Sequence, residues 1–343
     1  MKTFGWIRLI AFVGMVSSLI MGCSKDNSST TSGSSWSVVG NLDVNGVSDM
    51  YADKSGNLYA VGLFTDISGK HYVAKWDGST WSTVGNLNVN DAIFSICGDS
   101  NGNLYIGGAF TDNNGKHYVA KWNGTSWTNI GSYDGNITIN TMCMAGGILY
   151  AGGATDVYSW DGSGWAKLDM TNWDHWVNVL TADANGHLYV GGGAFTAGTG
   201  GAVAMWNGGG WTYIGDLNSY DEVHTICFDA NGTMYAGGGF DFTDGYVVKL
   251  NGTAWTDLSL GGNDMVRSIC TDAKGNLYAG GSFYNSSNKF YIAKWNGSSW
   301  SNMGLDAYSG VNKLLIIGNN LYAAGFLQFI LNSGHYIAVY HMN

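Results

Sequence analysis

The sequence predicts an all-β protein, a seven-bladed β-propeller built from four-stranded antiparallel blades. Three observations support this prediction. A tryptophan recurs every 38 to 46 residues, a Leu-Tyr or Met-Tyr pair follows each of these tryptophans, and the two ends of the chain carry complementary parts of one repeat. Composition agrees, because 53 of the 343 residues are glycine, none is proline and 14% are aromatic. Many short strands joined by tight glycine turns have this composition.

Seven tryptophans and seven aromatic pairs define the repeat. Residues 36–343, divided by seven, give 44 residues per unit, which is the size of one four-stranded propeller blade. The recurring tryptophans are Trp36, Trp81, Trp127, Trp165, Trp211, Trp255 and Trp300. The pairs occupy positions 58–59, 104–105, 149–150, 188–189, 234–235, 277–278 and 321–322.

Each unit contains four predicted strands, for example IFSIC (93–97), LYIGGAF (104–110), YVAKW (118–122) and WTNI (127–130). The link between the first two strands carries Asp and Gly, which indicates a turn that the Asp side chain caps itself. The alternating acidic ligands of a calcium loop are missing, so we expect no metal there. The Asp positions are Asp53, Asp99, Asp183, Asp229 and Asp272.

The stretch KWNGTSW (121–127) returns with small changes in the other units and predicts the hairpin between the third and fourth strands. Asn-Gly or Asp-Gly supplies the backbone angles of a tight hairpin turn. The two indoles are then placed to pair across the strands, and such a pair contributes about 0.2–1 kcal/mol. The Asn-Gly-Thr and Asn-Gly-Ser triplets are therefore interpreted as hairpin turns and not as glycosylation sites.

The two chain ends predict closure of a ring. The segment SGSSWSVVG at 32–40 matches NGSSWSNMG at 296–304, although no earlier strand of a unit precedes it. The last unit stops after three strands, with Tyr340 at the position of the first hairpin Trp. We therefore expect the N-terminal strand to complete the last blade, because a closed ring leaves no unpaired sheet edge.

The N-terminus predicts export and lipidation. Lys2 and Arg8 precede an apolar run from Leu9 to Gly22, which is too short to cross a bilayer as a helix. The ending Ile-Met-Gly-Cys at 20–23 resembles the lipobox of bacterial lipoproteins, in which the cysteine is lipidated; the alternative is an ordinary signal peptide. The predicted division is a lipoprotein signal peptide at 1–22, the lipidated Cys23 with a flexible Ser/Thr tether at 23–35, and the propeller at 36–343. Ser24 is compatible with sorting to the outer membrane in the lipoproteins that the segment resembles.

The net charge, the remaining cysteines and the repeated histidines argue against a nucleic-acid partner, disulfide bonds and a metal site. A net charge of −10 without any Lys/Arg cluster argues against nucleic acid. Cys97, Cys143, Cys227 and Cys270 occupy one column of the repeat, where positions in neighbouring blades are about 10 Å apart, so we expect free, buried thiols and not disulfides. His71, His117 and His335 recur in successive blades, and we expect that they do not converge on a metal ion.

The combination NLYxGGxF followed by YxAKWNGxxWxxxG resembles the secreted propeller repeats related to kelch and galactose-oxidase-like proteins. It is also similar to repeats of fungal cortical cell-polarity markers and of many exported bacterial proteins. The resemblance covers residues 36–343 and implies the fold, since such repeats serve many unrelated functions. Galactose oxidase chemistry requires a copper-bound Tyr/His/Cys set, and no positions here match it.

The links of one face, here named the top face, vary between units, whereas those of the opposite bottom face are short and repetitive. Binding residues concentrate on loops that a rigid scaffold holds. Two tryptophans outside the hairpins, Trp173 and Trp176, lie on the top face beside Asp174 and His175. They are candidates for sugar stacking. The alternative is packing between blades 3 and 4.

A second group of candidates surrounds the predicted central opening of the top face. The residues three positions before the cysteine column are Ser48, Phe94, Asn140, Asn178, His224, Arg267 and Asn312. A polar cluster over blades 5 and 6 is predicted to join two of these with a neighbouring segment: Tyr220, Asp221, Glu222, His224 and Arg267. The alternative is a solvated tunnel rim.

These features favour a non-enzymatic binding or scaffold module. No Ser/His/Asp arrangement, isolated carboxylate pair or phosphate-cradling loop is recognisable, and we expect no cofactor and no metal. The leading hypothesis is a monomeric, lipid-anchored propeller outside the bacterial cytoplasm that binds a protein or a glycan. The alternatives are a surface glycan-binding protein of a polysaccharide-utilisation system and a glycosidase or lyase with its site at the tunnel mouth.

Overall fold

The computed structural model describes residues 36–42, 46–131, 137–170, 173, 175–194, 202–215, 217, 222–239, 246–261, 264–284, 288, 291–305, 310–327 and 337–342, with His175 and Ala194 described by backbone alone. All of them belong to one unit, Ser34–Asn343. Within these ranges the structure is all β, without a helix, as predicted. The described residues accordingly contain no helix that could span a membrane. The predicted signal peptide and tether lie outside them.

Consecutive strands pair antiparallel in groups of four, which confirms the predicted four-stranded sheets. Group 1 contains β2 (Val47–Ala52), β3 (Leu58–Gly62), β4 (Ala74–Trp76) and β5 (Trp81–Thr83). Group 2 contains β6 (Ile93–Gly98), β7 (Leu104–Gly108), β8 (Ala120–Trp122) and β9 (Trp127–Asn129). Group 3 contains β10 (Thr141–Ala145), β11 (Ile148–Gly153), β12 (Asp156–Trp160) and β13 (Trp165–Lys167).

Groups 4 and 5 join into one eight-stranded sheet through a single residue pair, Gly193 with Glu222. Group 4 contains β14 (His175–Ala182), β15 (Leu188–Ala194), β16 (Ala202–Trp206) and β17 (Trp211–Tyr213). Group 5 contains β18 (Glu222–Phe228), β19 (Met234–Gly239), β20 (Val247–Asn251) and β21 (Ala254–Asp257). Group 6 contains β22 (Val266–Thr271), β23 (Leu277–Gly281), β24 (Ala293–Trp295) and β25 (Trp300–Asn302).

Group 7 combines the two ends of the chain. It contains β26 (Val311–Ile317), β27 (Asn320–Gly325), β28 (Ala338–His341) and β1 (Trp36–Val38). β1 pairs antiparallel with β28, with Trp36 opposite Tyr340 and Val38 opposite Ala338. The rings of Trp36 and Tyr340 have centroids 5.3 Å apart, so Tyr340 takes the place of the first hairpin Trp in this group.

The hairpin tryptophans pair across the strands as predicted. Trp76 lies opposite Trp81 in the strand register, with ring centroids 5.5 Å apart. Four further pairs have the same arrangement, at 5.3 to 5.6 Å: Trp122 with Trp127, Trp160 with Trp165, Trp206 with Trp211, and Trp295 with Trp300. The turns between the first two strands are also as predicted, since Asp53 accepts hydrogen bonds from the backbone N–H groups of Ser55 and Asn57 and from the Tyr59 hydroxyl.

The core lies between the groups. Each of seven buried apolar clusters among the described residues combines side chains of two neighbouring groups. One cluster joins Met50 and Leu58 of group 1 to Tyr322 and Val339 of group 7. Cys97, Cys143, Cys227 and Cys270 are free thiols, and burial raises the pKa of Cys143 and of Cys270 to about 12. They are therefore protonated, unreactive groups.

Candidate functional site

The first strand of six groups contains a β-bulge at the same position. The register against the second strand shifts on either side of one residue, for example between Val223 and Thr225, so that His224 has no partner in the ladder. Ser48, Phe94, Asn178, Arg267 and Asn312 lie at the equivalent shifts. In group 3 the corresponding Asn140 immediately precedes β10 and donates its backbone N–H to Gly152 O at 2.9 Å. A bulge turns one side chain away from the alternation of its strand.

The bulges bring distant parts of the chain to one cavity of about 390 Å³, which we name the central mouth. Six of the seven residues of the predicted column line it: Ser48, Phe94, Asn140, His224, Arg267 and Asn312. Sequence reasoning missed Ser282 and Phe326, which also line it. Each of these two directly follows the second strand of its group, so the variable position of the GGxF motif was the signal that could have identified them.

Side chains one position beyond the bulges connect neighbouring groups around the mouth. The Ser95 hydroxyl accepts from Met142 N at 3.0 Å, the Thr141 hydroxyl accepts from Leu180 N at 3.0 Å, and the same bond recurs from Ile269 N to Thr225 and from Leu314 N to Ser268. In group 1 the position is Asp49, which accepts from Ile96 N and pairs with Lys313 of group 7 at 2.8 Å. These buried bonds hold the bulges in fixed relative positions.

His224 and Arg267 form the polar part of the mouth. Burial lowers the pKa of His224, the neighbouring Glu222 opposes this shift and Arg267 adds to it, so the imidazole is neutral near pH 7. His224 Nε2 lies 3.2 Å from Glu222 Oε2. Arg267 Nε donates to Ser282 Oγ at 3.0 Å. Of the predicted polar cluster, the structure thus brings Glu222, His224 and Arg267 together, whereas Tyr220 and Asp221 lie outside the described residues.

The two extra tryptophans occupy different environments. Trp173 is 6% exposed and packs in the cluster that includes Val177, Leu180 and Val190, with its ring stacked on Tyr213 at a centroid distance of 6.0 Å. Trp176 is 43% exposed. This placement favours the packing alternative for Trp173 and leaves Trp176 as the accessible indole. Asp174 lies outside the described residues, and His175 is described only by its backbone pairing with Ala194.

The repeated histidines lie in separate local contacts. His71 bridges to Thr65 and Val89, and His117 Nδ1 lies 3.2 Å from Phe110 O, while His335 is outside the described residues. In the part of the chain that the structure describes, no group of three or more His, Cys, Asp or Glu side chains could hold a metal ion.

Comparison with known proteins defines the class of fold. Residues 86–110 match the family described as two component regulator propeller. Virginiamycin B lyase from Staphylococcus aureus has a similar structure at a TM-score of 0.69 and 9% identity, over 90% of this chain and 99% of that chain. The extracellular domain of a hybrid two component system from B. thetaiotaomicron is similar at a TM-score of 0.64 and 14% identity, over 89% of this chain and 39% of that chain.

A further similar structure is the WD40 β-propeller domain of Doa1, with a TM-score of 0.60 and 13% identity over 90% of this chain and 98% of that chain. No curated protein matches the sequence. The chain is thus an all-β propeller made of propeller repeats. At these identities the likeness concerns the fold alone, and the kelch and galactose-oxidase-like type of the repeats stays a prediction.

Proposed function

We propose that the chain is a non-enzymatic, lipid-anchored propeller of kelch-like repeats that binds a protein or glycan outside the bacterial cytoplasm. The observation that carries the proposal is the central mouth, where bulges in separate groups direct side chains of varied chemistry into one cavity. A rigid scaffold that presents variable side chains on one face is the usual arrangement of a recognition surface.

The proposal includes a ring of seven blades closed by the N-terminal strand. Three observations support it: β1 pairs with β28, a buried cluster joins groups 7 and 1, and the Lys313 ammonium pairs with Asp49 across the same boundary. The indole of Trp36 also donates to Met303 O at 3.0 Å, as the equivalent Trp81 donates to Val39 O at 2.8 Å.

The proposed location is the outer membrane, through a lipid on Cys23. The cationic start, the apolar run and the lipobox-like ending support it, and the extracellular domain among the similar structures is consistent with export. In a bacterial host, wild-type protein is expected to incorporate a labelled fatty acid and to sediment with membranes. Cys23→Ala is expected to lose the label and to leave the membrane fraction, and a label that persists in Cys23→Ala would contradict the proposal.

The binding proposal is tested with glycan arrays and with purified proteins from the cell exterior as immobilised partners. A mouth variant combining His224→Ala and Arg267→Gln is compared with Lys121→Gln, a change at a bottom-face cavity that contains Asp99 and Tyr105. We expect the mouth variant to lose partner binding and Lys121→Gln to retain it. If the mouth variant retained binding and Lys121→Gln lost it, the recognition surface would lie on the bottom face, and the proposal would be contradicted.

One observation favours a glycan as the partner: the Trp176 indole is 43% exposed on the top face. Stacking of a sugar ring on an accessible indole is a common way to bind glycans. Trp176→Ala is expected to abolish retention in a polysaccharide affinity gel. Trp81→Ala is unsuitable as a control, because the Trp81 indole of group 1 donates a hydrogen bond to Val39 O beside group 7. Ile148→Ser, at a bottom-face residue that is 42% exposed, serves as the control for an exposed apolar side chain. Unchanged retention of Trp176→Ala would exclude this indole as the sugar platform.

A further inference from the structure

The central mouth has an apolar side and a polar side. Phe94 and Phe326 are its large apolar lining residues. Leu63, which is 47% exposed, extends this side, because Gly46 lies between the side chains of Leu63 and Phe326. Asn140, His224, Arg267 and Asn312 provide the polar lining. A ligand that fills the mouth must therefore combine an apolar body with a polar group.

Arg267 determines the charge of that polar group. Its Nε is occupied by Ser282 Oγ, and among the described residues no carboxylate forms an ion pair with its guanidinium. Lys313, the neighbouring cation, is already paired with Asp49. The free edge of an arginine presents a rigid fork of N–H donors that matches a carboxylate. Within the described residues Arg267 thus lacks a counter-ion and lines the cavity, so its guanidinium is available to pair with an anionic ligand.

Two further polar atoms on the bulges also lack partners. Asn178 Nδ2 and His224 Nε2 are buried and make no hydrogen bond within the described part of the chain. His224 Nε2 has Glu222 Oε2 within 3.2 Å, but the orientation is not that of a hydrogen bond. Buried polar groups in native proteins generally have partners. Of these two residues only His224 lines the mouth, so a molecule bound there can supply a hydrogen-bond partner for its Nε2.

We propose that the central mouth binds a small amphiphilic carboxylate, whose anionic group pairs with the Arg267 guanidinium and whose apolar body lies against Phe94 and Phe326. The cavity of about 390 Å³ falls within the size range of small-molecule sites. This inference goes beyond the proposed function, since it assigns a small-molecule ligand to the mouth that is also proposed to bind a protein or glycan. The Glu222 carboxylate, whose Oε2 lies 3.2 Å from Nε2 of the lining residue His224, disfavours a second negative charge on the ligand.

The test uses two pairs of probes that differ only in the anionic group: 4-phenylbutyrate with 4-phenylbutan-1-ol, and octanoate with octan-1-ol. Binding is measured by ligand-observed NMR titration on wild type, Arg267→Gln, Arg267→Lys and Lys121→Gln. Lys121→Gln removes the same charge at the bottom-face cavity and serves as the matched control. Phe94→Ser tests the apolar side, and a thermal melt of each variant checks its folding.

We expect each acid to bind wild type and Lys121→Gln about tenfold more tightly than its alcohol, because charge-assisted, bidentate contacts are the stronger hydrogen bonds. The ratio is expected to fall to about one in Arg267→Gln and to lie between these values in Arg267→Lys. Phe94→Ser is expected to weaken acid and alcohol alike. Dissociation constants in the millimolar range suit probes of this size.

An acid-to-alcohol ratio that persists in Arg267→Gln, or the absence of acid binding to wild type in the millimolar range, would overturn the inference. Either result leaves the proposed function separately measurable, because the partner-binding assay with the mouth variant does not involve these probes. Conversely, the carboxylate preference could depend on Arg267 while the mouth variant still binds the protein or glycan partner. That result would support this inference and contradict the proposed function.

Discussion

Trp127 shows how one side chain connects two neighbouring groups of strands. Its ring pairs with Trp122 of its own hairpin, with centroids 5.6 Å apart, and its Nε1 donates to Val84 O, just beyond the last strand of group 1, at 2.7 Å. The same bond recurs from Trp255 to Ile214 O and from Trp300 to Leu258 O. The second indole of the hairpin therefore has two roles: it packs against the first indole and it donates a hydrogen bond to the neighbouring group. The sequence predicted only the pairing of the two rings.

Replacing Trp127 by Phe tests this hydrogen bond. The variant keeps an aromatic ring but leaves Val84 O without its donor, so we expect a loss of about 0.5–1.5 kcal/mol for the bond, in addition to the loss of ring area. Trp211→Phe is the matched control, because Trp211 Nε1 is buried without a hydrogen-bond partner among the described residues. Urea unfolding measures both, and an equal loss of stability in the two variants would contradict the role of the bond.

His224 gives the stability of the protein a specific dependence on pH. Its pKa in the folded protein lies below the ordinary value of 6.5, mainly because of burial, with Glu222 opposing and Arg267 reinforcing the shift. As the pH falls below about 6.5, the unfolded chain therefore binds the proton more readily than the folded one, and stability is lost as the pH approaches the lower folded pKa. His224→Gln is expected to remove this part of the loss.

The measurement compares urea unfolding of wild type and His224→Gln at pH about 7.5 and about 5.5. Aspartates and glutamates that do not contact His224 contribute equally in both proteins, so the difference between the two pH dependences reports His224 and its interaction with Glu222. Identical pH dependences would contradict a depressed pKa of His224 in the folded state.

At the scale of the strand, the position after each bulge decides how one group holds the next. Thr225 and Ser268 accept backbone hydrogen bonds from the following group, whereas the equivalent position in group 4 is Val179, which has no hydroxyl. The boundary after group 4 is also the one where two groups merge through the single pair of Gly193 with Glu222. The series of hydroxyl bonds is therefore interrupted at Val179.

This interruption predicts opposite effects for two nearly isosteric substitutions. Thr225→Val removes an acceptor from the buried Ile269 N–H and is expected to destabilise the protein by about 1–3 kcal/mol. Val179→Thr supplies a hydroxyl at the equivalent position beside group 5 and is expected to stabilise the protein by about 0.5–1.5 kcal/mol. Denaturant midpoints measure both. A destabilising Val179→Thr would mean that the bond depends on more than the position after the bulge.

At the scale of the whole molecule, the proposed ring depends on the pairing of β1 with β28 and on the contacts between groups 7 and 1. The contacts include the ion pair of Lys313 with Asp49 and the hydrogen bond from Asn312 Nδ2 to Val47 O at 3.0 Å. Residues at opposite ends of the chain thus line the same mouth. Loss of β1 should therefore affect both the edge of group 7 and the geometry of the site.

Truncation tests the proposed closure. A chain that begins at Gly40 lacks β1, exposes the edge of β28, and is expected to unfold at lower urea and to aggregate. A chain that begins at Ser34 keeps β1 and is the control, with wild-type stability expected. Equal urea midpoints and equal monomer fractions in size-exclusion chromatography would show that β1 contributes nothing to the ring.

The sequence by itself determined the local elements of this protein. Hairpin pairs such as Trp76 with Trp81, the capped turn at Asp53 and the four-strand repeat follow from interactions between residues close in the chain, which turn chemistry and alternation predict. It also predicted the column that contains His224 and Arg267, because equivalent positions of a repeat occupy equivalent places in a propeller.

Only the tertiary structure decided which of these residues can act together. Trp173 and Trp176 are near neighbours in the chain, yet one is buried in the core and the other is exposed. Phe326 and Ser282 line the mouth together with Phe94, and although the GGxF motif gives their position within a group, it does not show that they reach the same cavity as Phe94. Exposure and convergence depend on how the groups of strands pack on one another and on where the bulges turn their side chains. Those contacts join residues far apart in the chain, such as Asn312 and Val47, which are 265 positions apart, and no local pattern predicts them.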